Sequence, residues 1–375
     1  MIPSEAVGLY IHVPFCRRRC HFCAFYLEIA QPNRIVQFQS ALLQEIALHA
    51  QHDVLDGRRL QSIYFGGGTP TSLPTEYLTR LLNRIRATWP ISPNAEITIE
   101  AHPSTVSPDD LNALVRAGFN RISFGAESMK DQDFASLGRS GLVRDTATAV
   151  HESRRAGFAN INLDLMYGLP GQSLRDWRET VESLLVLQPS HLSCYALTVE
   201  ENTRLAQDIA QQIVAPPDDA LQNEMESAAE DILASAGFTH YEISNYAKPG
   251  YSSRHNLLYW TGGEYLGLGP SAQSYLAGTR FGKIANLASY VETLSRDRLP
   301  IVDRTTLSTS EQERDALVFG LRLLCGVPRV TGRTADRDLQ IDTLLKQGLL
   351  TSDHDRLWLT PLGRRYADTV AAALF

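Results

Sequence analysis

The sequence predicts an α/β protein that begins with a partial (β/α)6 barrel and continues into a C-terminal α+β region. Six short runs rich in apolar and β-branched residues lie between residues 7 and 197, and segments with helical periodicity separate them. Strands joined by such long crossovers pair in parallel, with right-handed connections. A chain of 375 residues is long enough for this barrel and one or two further modules.

The predicted strands are Gly8–Val13, Ser62–Phe65, Glu96–Glu100, Arg121–Gly125, Asn160–Leu165 and His191–Leu197. The predicted helices between them are Ile35–His52, Thr75–Trp89, Pro108–Ala117, Val143–Ala156 and Ser173–Leu187. Reactive groups of a parallel barrel gather at the C-terminal ends of its strands. A cysteine loop, a Gly-Gly-Gly turn, Glu100, Glu127 and Asp164 all lie at such ends, so we expect them on one face.

The chain changes character after the last predicted strand. Ala215–Pro217 predicts a linker, and Asp218–Ala234 an amphipathic helix. After a short strand at His240–Ser244 the chain is dense in glycine and aromatic residues, which favours loops closing over the barrel mouth.

The tail predicts an order of elements typical of a winged-helix-like module. These elements are a helix over Ser308–Leu324, a helix over Ala335–Lys346, a two-strand ribbon around Asp353–Asp355 and a last helix from Pro361. The predicted domains are therefore 1–205, 206–300 and 301–375. We expect the last domain to serve packing or partner docking, because fold alone does not imply DNA binding.

Composition narrows the classes of function. The net charge of −7 argues against a nucleic-acid partner. No uninterrupted apolar run reaches the roughly 18 residues that a membrane span needs, and the N-terminus lacks the pattern of a signal peptide. Five cysteines without disulfide-framework spacing fit a reducing compartment, so a cytoplasmic location is expected.

Three cysteines follow the first strand at spacings of four and three positions: Cys16, Cys20 and Cys23. Closed zinc sites and cubane iron–sulfur clusters usually take four protein ligands. Phe25 stands where a fourth cysteine could have been, so a cluster bound here would keep one iron open. A Cys3His zinc knuckle that uses His21 is the alternative.

This stretch resembles the C-x3-C-x2-C signature of the radical S-adenosylmethionine (SAM) enzymes. In that family the open iron of a [4Fe-4S] cluster chelates the methionine group of SAM, and the reduced cluster cleaves SAM to a 5'-deoxyadenosyl radical. Gly66-Gly67-Gly68-Thr69-Pro70 resembles the family motif that holds the SAM amino group, and its glycines let backbone approach a ligand closely.

The resemblance extends to the oxygen-independent coproporphyrinogen oxidase-like branch of these enzymes. Its SAM pocket is lined by residues that match Tyr10, Gly67, Gly68, Thr69, Glu100, Glu127, Arg139 and Asp164. Three positions depart from the branch pattern. Glu127 replaces a usual glutamine, His102 a common asparagine, and Gln273 a frequent histidine.

His255-Asn256-Leu257-Leu258-Tyr259-Trp260 resembles the HNxxYW element of the HemW heme chaperones, which are thought to carry heme to respiratory proteins. The resemblance implies that His255 contacts heme, since an imidazole can bind iron axially and aromatic rings can cover a porphyrin face. A hydrogen-bonded core histidine in an aromatic cluster is the other interpretation.

The resemblance implies a heme chaperone with a [4Fe-4S] cluster, SAM and heme, whose partners are heme-accepting respiratory proteins. An oxygen-independent coproporphyrinogen III dehydrogenase and a related methyltransferase are the alternatives. The dehydrogenases carry a fourth cysteine where this chain has Phe25, and a longer segment before the motif, so the chaperone is preferred. Whether the chain forms a homodimer is left open by the sequence.

Overall fold

In the computed structural model, which describes residues 7–330 and 334–375, strands and helices alternate through the first half of the chain. The strands of this half are β1 (Val7–Val13), β2 (Phe15–Cys16), β3 (Glu28–Ile29), β4 (Leu60–Gly67), β5 (Ile91–Ala101), β6 (Arg121–Glu127), β7 (Asn160–Tyr167) and β8 (His191–Ala196). The helices are α1 (Pro32–Gln51), α2 (Thr75–Thr88), α3 (Pro108–Ala117), α4 (Asp131–Ser136), α5 (Val143–Ala156) and α6 (Leu174–Val186). The six predicted strands and five predicted helices are confirmed, and the short strands β2 and β3 and helix α4 are additions.

Strands β1, β4, β5, β6, β7 and β8 pair in this order, all in parallel. Their residues alternate between two environments, as the pleat requires. One face is apolar and packs under the helices; it includes Leu9, Ile63, Ile99, Phe124 and Leu163. The other face carries the polar residues and lines the barrel interior. This alternation places polar side chains such as Tyr64, Glu100 and Asp164 on the interior face.

The second half of the chain extends the same sheet. Its elements are α7 (Arg204–Ala210), α8 (Asp219–Ser235), β9 (Thr239–Glu242), β10 (Asn245–Ala247), α9 (Arg254–Trp260), β11 (Glu264–Leu268), β12 (Gln273–Leu276), β13 (Thr279–Lys283), α10 (Leu287–Ser295) and β14 (Ile301–Thr306). The full strand order is β14-β13-β12-β11-β1-β4-β5-β6-β7-β8-β10-β9. Sheet pairing therefore continues across the predicted boundary after residue 205, and the domain limits stay predictions.

The glycine- and aromatic-rich stretch, for which mouth-closing loops are expected, is mostly regular structure, and the turn after β11 reaches the strand ends that carry the cysteine loop, where Gly269 approaches the His12 carbonyl. That stretch forms β10, α9 and β11. Helix α9 contacts Gly8 and Ser62, which lie towards the N-terminal ends of β1 and β4, and Glu96, which pairs with Ser62 across to β5. The cysteine loop follows the C-terminal end of β1, so α9 lies at the opposite end of the barrel interior.

The tail has a small sheet and a hydrophobic core of its own. Its elements are α11 (Thr309–Gly320), β15 (Val327–Pro328), α12 (Ala335–Lys346), β16 (Leu350–Ser352), β17 (Arg356–Leu359), α13 (Pro361–Arg365) and α14 (Ala367–Leu374). The strand order is β15-β17-β16, and Leu317, Ile341, Leu357 and Val370 are among the core residues. The predicted helices and ribbon are present, while similarity to a winged helix stays a prediction.

Among the helices within residues 7–330 and 334–375, none combines the length and the apolar composition that a membrane crossing needs.

Candidate functional site

Three free, half-buried thiols lie in the loop between β1 and α1: Cys16, Cys20 and Cys23. The Sγ atom of Cys16 lies 3.4 Å from the Thr69 hydroxyl. The Nη1 atom of Arg139 lies 4.0 Å from the Sγ atom of Cys20. The cysteine loop, the turn after β4 and the segment after α4 therefore meet at one place.

Burial raises the pKa of the Cys16 and Cys20 thiols, and the positive charge of Arg139 partly opposes this effect. The two thiols therefore keep their protons near neutral pH, and a bound metal centre would displace them. In residues 7–330 and 334–375 no group of three or more His, Cys, Asp or Glu side chains is arranged to hold a single metal ion.

The ring of His21 is engaged outside the thiol group. Its Nδ1 atom lies 3.1 Å from the carbonyl oxygen of Ser136, and a Cβ atom on Gly138 would lie 2.3 Å from the ring. The His21 ring is therefore held against the end of α4 and Gly138.

The Gly-Gly-Gly turn packs directly against the cysteine loop. The Gly68 amide donates to the Val13 carbonyl (2.8 Å) and the Thr69 amide to the Phe15 carbonyl (2.7 Å). A Cβ atom on Gly68 would lie 2.7 Å from the Phe15 carbonyl oxygen and 3.1 Å from the Sγ atom of Cys16. Any side chain here would push the two segments apart, so glycine is required by close approach.

Gly67 also has a structural reason to be glycine. Its φ of +111° lies in the left-handed region, and a Cβ atom would lie 2.7 Å from the ring of His12. Its amide donates to a carboxylate oxygen of Glu100 over 3.2 Å. The turn is therefore joined to the end of β5 as well as to the cysteine loop.

Glu100 and Asp164 are two partly buried carboxyl groups that face the same interior. The Tyr64 hydroxyl donates to Glu100 over 2.7 Å, and Ser123 and Asn162 donate to Asp164 over 3.0 and 2.9 Å. Burial, reinforced by the Asp164 charge, raises the pKa of Glu100 to about 7. Burial also raises the pKa of Asp164. These carboxyls offer acceptors to a ligand's hydroxyl or amino groups.

Glu127 and Arg139 form an ion pair beside the cysteines, with Oε1 and Nη1 3.1 Å apart. Arg139 also donates a short hydrogen bond to the Gly125 carbonyl, and a Cβ atom on Gly125 would lie 2.6 Å from the guanidinium. Glu127 has a φ of +59°, which is rare for a residue with a side chain. The departure from glutamine thus supplies a charge partner that holds the arginine.

Tyr10 lies two residues before His12, so the two side chains share the interior face of β1. The Tyr10 hydroxyl lies 3.2 Å from Nδ1 of His12. Burial lowers the pKa of His12 to about 4, so its ring is neutral. Sequence reasoning missed His12 as a site residue. Its signal was the two-residue spacing from Tyr10 at the end of a strand.

The structure places His255 in the interior, on helix α9 at the N-terminal ends of β1 and β4. Its side chain is 1% exposed, and its Nδ1 and Nε2 atoms lie 2.8 Å from the hydroxyls of Ser62 and Tyr259. Burial lowers the pKa of His255 to about 3. Both ring nitrogens are hydrogen-bonded in this arrangement, so an iron ion could bind His255 only by displacing one of the two hydroxyls. The hydrogen-bonded core histidine is the form observed.

The other two departures lie at different places. His102 caps the short helix that follows β5, where its Nδ1 atom accepts from the Ser104 amide over 3.1 Å. Burial and the charge of Arg139 lower the pKa of His102 to about 3. Gln273 is exposed on β12. His102 thus borders the site, and Gln273 lies beside Gly267, the β11 partner of Tyr10.

The class of protein follows from the fold and the match to known families. A family model described as the radical SAM superfamily matches residues 10–184. A solved structure described as coproporphyrinogen III oxidase (HemN) from Escherichia coli, a radical SAM enzyme, aligns with a TM-score of 0.85 at 22% identity. That alignment covers 99% of this chain and 90% of the other. The fold is that of the radical SAM proteins.

Full-length relatives make the family more specific. Curated proteins from Mycobacterium tuberculosis, Bacillus subtilis and Escherichia coli, each named heme chaperone HemW, are 35%, 34% and 32% identical to this chain. The alignments cover 100%, 97% and 99% of this chain and 96%, 98% and 98% of the relatives. This chain belongs to the HemW family of radical SAM proteins, and the family implies a [4Fe-4S] cluster and SAM.

Proposed function

We propose that this chain is a heme chaperone that binds heme and passes it to heme-accepting respiratory proteins, with a [4Fe-4S] cluster and SAM as its resident cofactors. The observation that carries the proposal is the identity of 35% over the whole chain to relatives named heme chaperone HemW. The cysteine loop with three thiols and the strand-end carboxyls are consistent with the same proposal.

The residues present fit an iron–sulfur cluster. Cys16, Cys20 and Cys23 would hold it, because all three are free thiols in one loop. The glycine at position 68 leaves beside Cys16 a space that a Cβ atom would fill. Arg139, 4.0 Å from the Cys20 sulfur, would offset the negative charge of bound thiolates. A cluster held by three cysteines supplies an open iron to which SAM can bind.

The residues around the loop fit SAM. The turn Gly67–Thr69 would present backbone groups to the methionine part, and Tyr10 would lie along the pocket wall. Arg139 has five donors in a planar fork, so it can keep its pair with Glu127 and still bind a carboxylate. Glu100 and Asp164 would accept hydrogen bonds from amino or hydroxyl groups of SAM.

Phe25 favours the chaperone over a coproporphyrinogen III dehydrogenase. The decarboxylating enzymes resemble this chain but carry a cysteine at that place. Here the phenylalanine side chain is 70% exposed beside the cysteine loop, so it fills no core position that would explain it by packing. The structural similarity to coproporphyrinogen III oxidase concerns the fold.

The cluster assignment is tested by anaerobic reconstitution with iron and sulfide of the wild type and of a Cys20→Ser variant. Cys325→Ser is the matched control, because Cys325 is a free thiol that is exposed and lies far along the chain. We expect four irons per wild-type and Cys325→Ser chain and a clear loss in Cys20→Ser. Full iron content in Cys20→Ser would refute the ligand assignment.

The chaperone assignment is tested on the same reconstituted protein. Heme is titrated and followed by its absorption spectrum, and a second sample is incubated with SAM, a reductant and coproporphyrinogen III. We expect saturable heme binding and no protoporphyrinogen. Conversion of the porphyrinogen would refute the chaperone assignment in favour of the dehydrogenase.

A further inference from the structure

The HNLLYW segment forms the short helix α9, which closes the N-terminal end of the barrel interior. Two hydroxyls fix the His255 ring: Ser62 on β4 and Tyr259 on α9 each lie 2.8 Å from one ring nitrogen. A buried imidazole with both nitrogens hydrogen-bonded is held in one ring orientation. His255 is therefore a rigid ring that can restrict the orientation of a neighbouring side chain.

That neighbour is Tyr64. The rings of His255 and Tyr64 stack at a centroid distance of 5.1 Å and an interplanar angle of 25°, and Tyr10 stacks on His255 at 6.3 Å and 28°. Gly8 makes room for the stack, since a Cβ atom there would lie 3.3 Å from the His255 ring. His255 thus contacts two rings of the barrel interior, Tyr10 and Tyr64.

Tyr64 passes this constraint on to the pocket. Its hydroxyl donates to Glu100 over 2.7 Å, and the other carboxylate oxygen of Glu100 accepts from the Gly67 amide over 3.2 Å. A tilt of the Tyr64 ring would therefore move or release Glu100. His255 acts on the pocket through one intermediate residue.

A second path of hydrogen bonds joins α9 to Asp164. The amide of Ser253, the N-cap of α9, donates to the Tyr241 hydroxyl over 3.2 Å. Tyr241 lies 2.8 Å from Nε2 of His191, whose Nδ1 atom lies 2.6 Å from Oδ1 of Asn162. Asn162 then donates to Asp164 over 2.9 Å. Both pocket carboxyls are thus supported from the same helix.

Glu96 anchors the helix itself. Its carboxylate accepts from the amides of Arg254 and His255 over 3.1 and 3.2 Å. Arg121, 2% exposed on β6, supplies the opposing positive charge inside the barrel. Helix α9 is therefore held at its first turn by the two hydrogen bonds to the Glu96 carboxylate, whose negative charge is favoured by the nearby Arg121.

We propose that His255 is a positioning residue of the SAM pocket, which orients Glu100 through Tyr64, and that it is not an iron ligand for heme. This inference rests on the proposed SAM site and assigns to the HNLLYW segment a task different from heme contact. A histidine is suited to this position because its two ring nitrogens can bond Ser62 and Tyr259 at the same time.

The test measures SAM binding by calorimetry on anaerobically reconstituted protein. Ser62→Ala and Tyr259→Phe each remove one hydrogen bond from the ring and leave the imidazole in place with a nitrogen freed. We expect each variant to bind SAM about three- to tenfold more weakly, because one buried hydrogen bond is lost. His255→Ala should lose more, since the stack on Tyr64 disappears as well.

The matched control is His240→Ala. His240 is also a histidine of the same sheet stacked on a tyrosine, at 4.0 Å and 16° from Tyr246. Its ring nitrogens pair with Glu230 and the Ile243 carbonyl, neither of which belongs to the proposed SAM pocket. Its SAM affinity should equal that of the wild type.

Two further readouts separate positioning from general loosening and from heme ligation. Glu100 faces Tyr64, the Gly67 amide, Asp164 and Arg121, and it takes up a proton more readily when Tyr64 no longer donates to it. The pH midpoint of SAM binding should therefore rise in His255→Ala. Heme titration should be the same in all these variants.

The outcomes are distinct. Wild-type affinity for SAM in Ser62→Ala and Tyr259→Phe would overturn the inference, as would loss of heme binding in His255→Ala with SAM binding retained. If His255→Ala does not fold, the Ser62→Ala and Tyr259→Phe variants decide. A wild-type protein that binds no SAM would overturn the proposed SAM site, whereas the inference alone fails if the wild type binds SAM and the variants match it.

Discussion

Replacement of Lys283 by methionine should strongly destabilise the protein. Lys283 on β13 is fully buried, and its Nζ atom lies 2.8 Å from Oε1 of Glu45 on α1 and 2.7 Å from Nε2 of His49. The variant leaves Glu45 as a buried carboxylate with two remaining donors, the Gly269 amide at 2.9 Å and the Tyr290 hydroxyl at 2.5 Å. Removal of one partner from a buried ion pair costs about 3 to 5 kcal/mol of unfolding free energy.

The size of this loss should depend on pH through His49. The ring lies 3.8 Å from Glu45, and burial together with the Lys283 charge lowers the pKa of His49 in the wild type. In Lys283→Met the lysine charge is gone, so protonated His49 can pair with Glu45 and its folded-state pKa rises. That contribution is present below the ordinary histidine pKa of about 6.5 and is lost as the pH rises through the folded-state value. The variant should therefore be less destabilised at pH 5.5 than at pH 8.

Urea unfolding followed by circular dichroism at both pH values measures this effect. Lys130→Met is the control. Lys130 pairs with Asp176 and Glu179 at the surface, where water screens the charges and loss of the pair costs little. Equal losses in Lys283→Met and Lys130→Met at pH 8 would refute the reasoning. So would a loss in Lys283→Met that does not change with pH.

Three further predictions concern the site. Gly68→Ala should lower the iron content after reconstitution, because the new Cβ atom meets the Cys16 sulfur at 3.1 Å; iron and sulfide assays measure it. SAM affinity should rise with pH through about 7 as Glu100 ionises, and Tyr64→Phe should move this midpoint upwards, because the lost hydroxyl stabilised the carboxylate; calorimetry across pH measures both. Arg139→Lys should weaken SAM binding about tenfold, since an ammonium cannot donate as a planar fork; calorimetry at one pH is sufficient.

Each of these predictions has a result that would contradict it. A Gly68→Ala protein with wild-type iron content would show that the turn does not border the cluster. A pH-independent SAM affinity would remove Glu100 from the binding step. If Arg139→Lys binds SAM like the wild type, the arginine serves only its pair with Glu127.

Much of the site could be predicted because its parts are local in sequence. Cys16, Cys20 and Cys23 lie within eight positions of one another, so their spacing alone brings them together on one loop. The absence of a fourth cysteine, with Phe25 in its place, is equally local. The parallel order of strands then brings Glu100 and Asp164 to the same interior, because alternating βα units place equivalent strand ends together.

The burial and the hydrogen bonds of His255 depend on tertiary contacts. Its ring nitrogens are held by Ser62, 193 positions away along the chain, and by Tyr259, four positions away. An HNLLYW pattern is compatible with an exposed ligand and with a buried support, and burial alone distinguishes the two.

The sequence by itself therefore determined the strand and helix order, the three-thiol loop and the glycine turn, because spacing and patterning are written into consecutive residues. Only the tertiary structure decided that Glu127 pairs with Arg139, that the His12 ring packs against Gly67, and that α9 closes the N-terminal end of the barrel interior. Those facts depend on which side chains from distant segments come within hydrogen-bond distance, and a linear pattern does not specify distances across a fold.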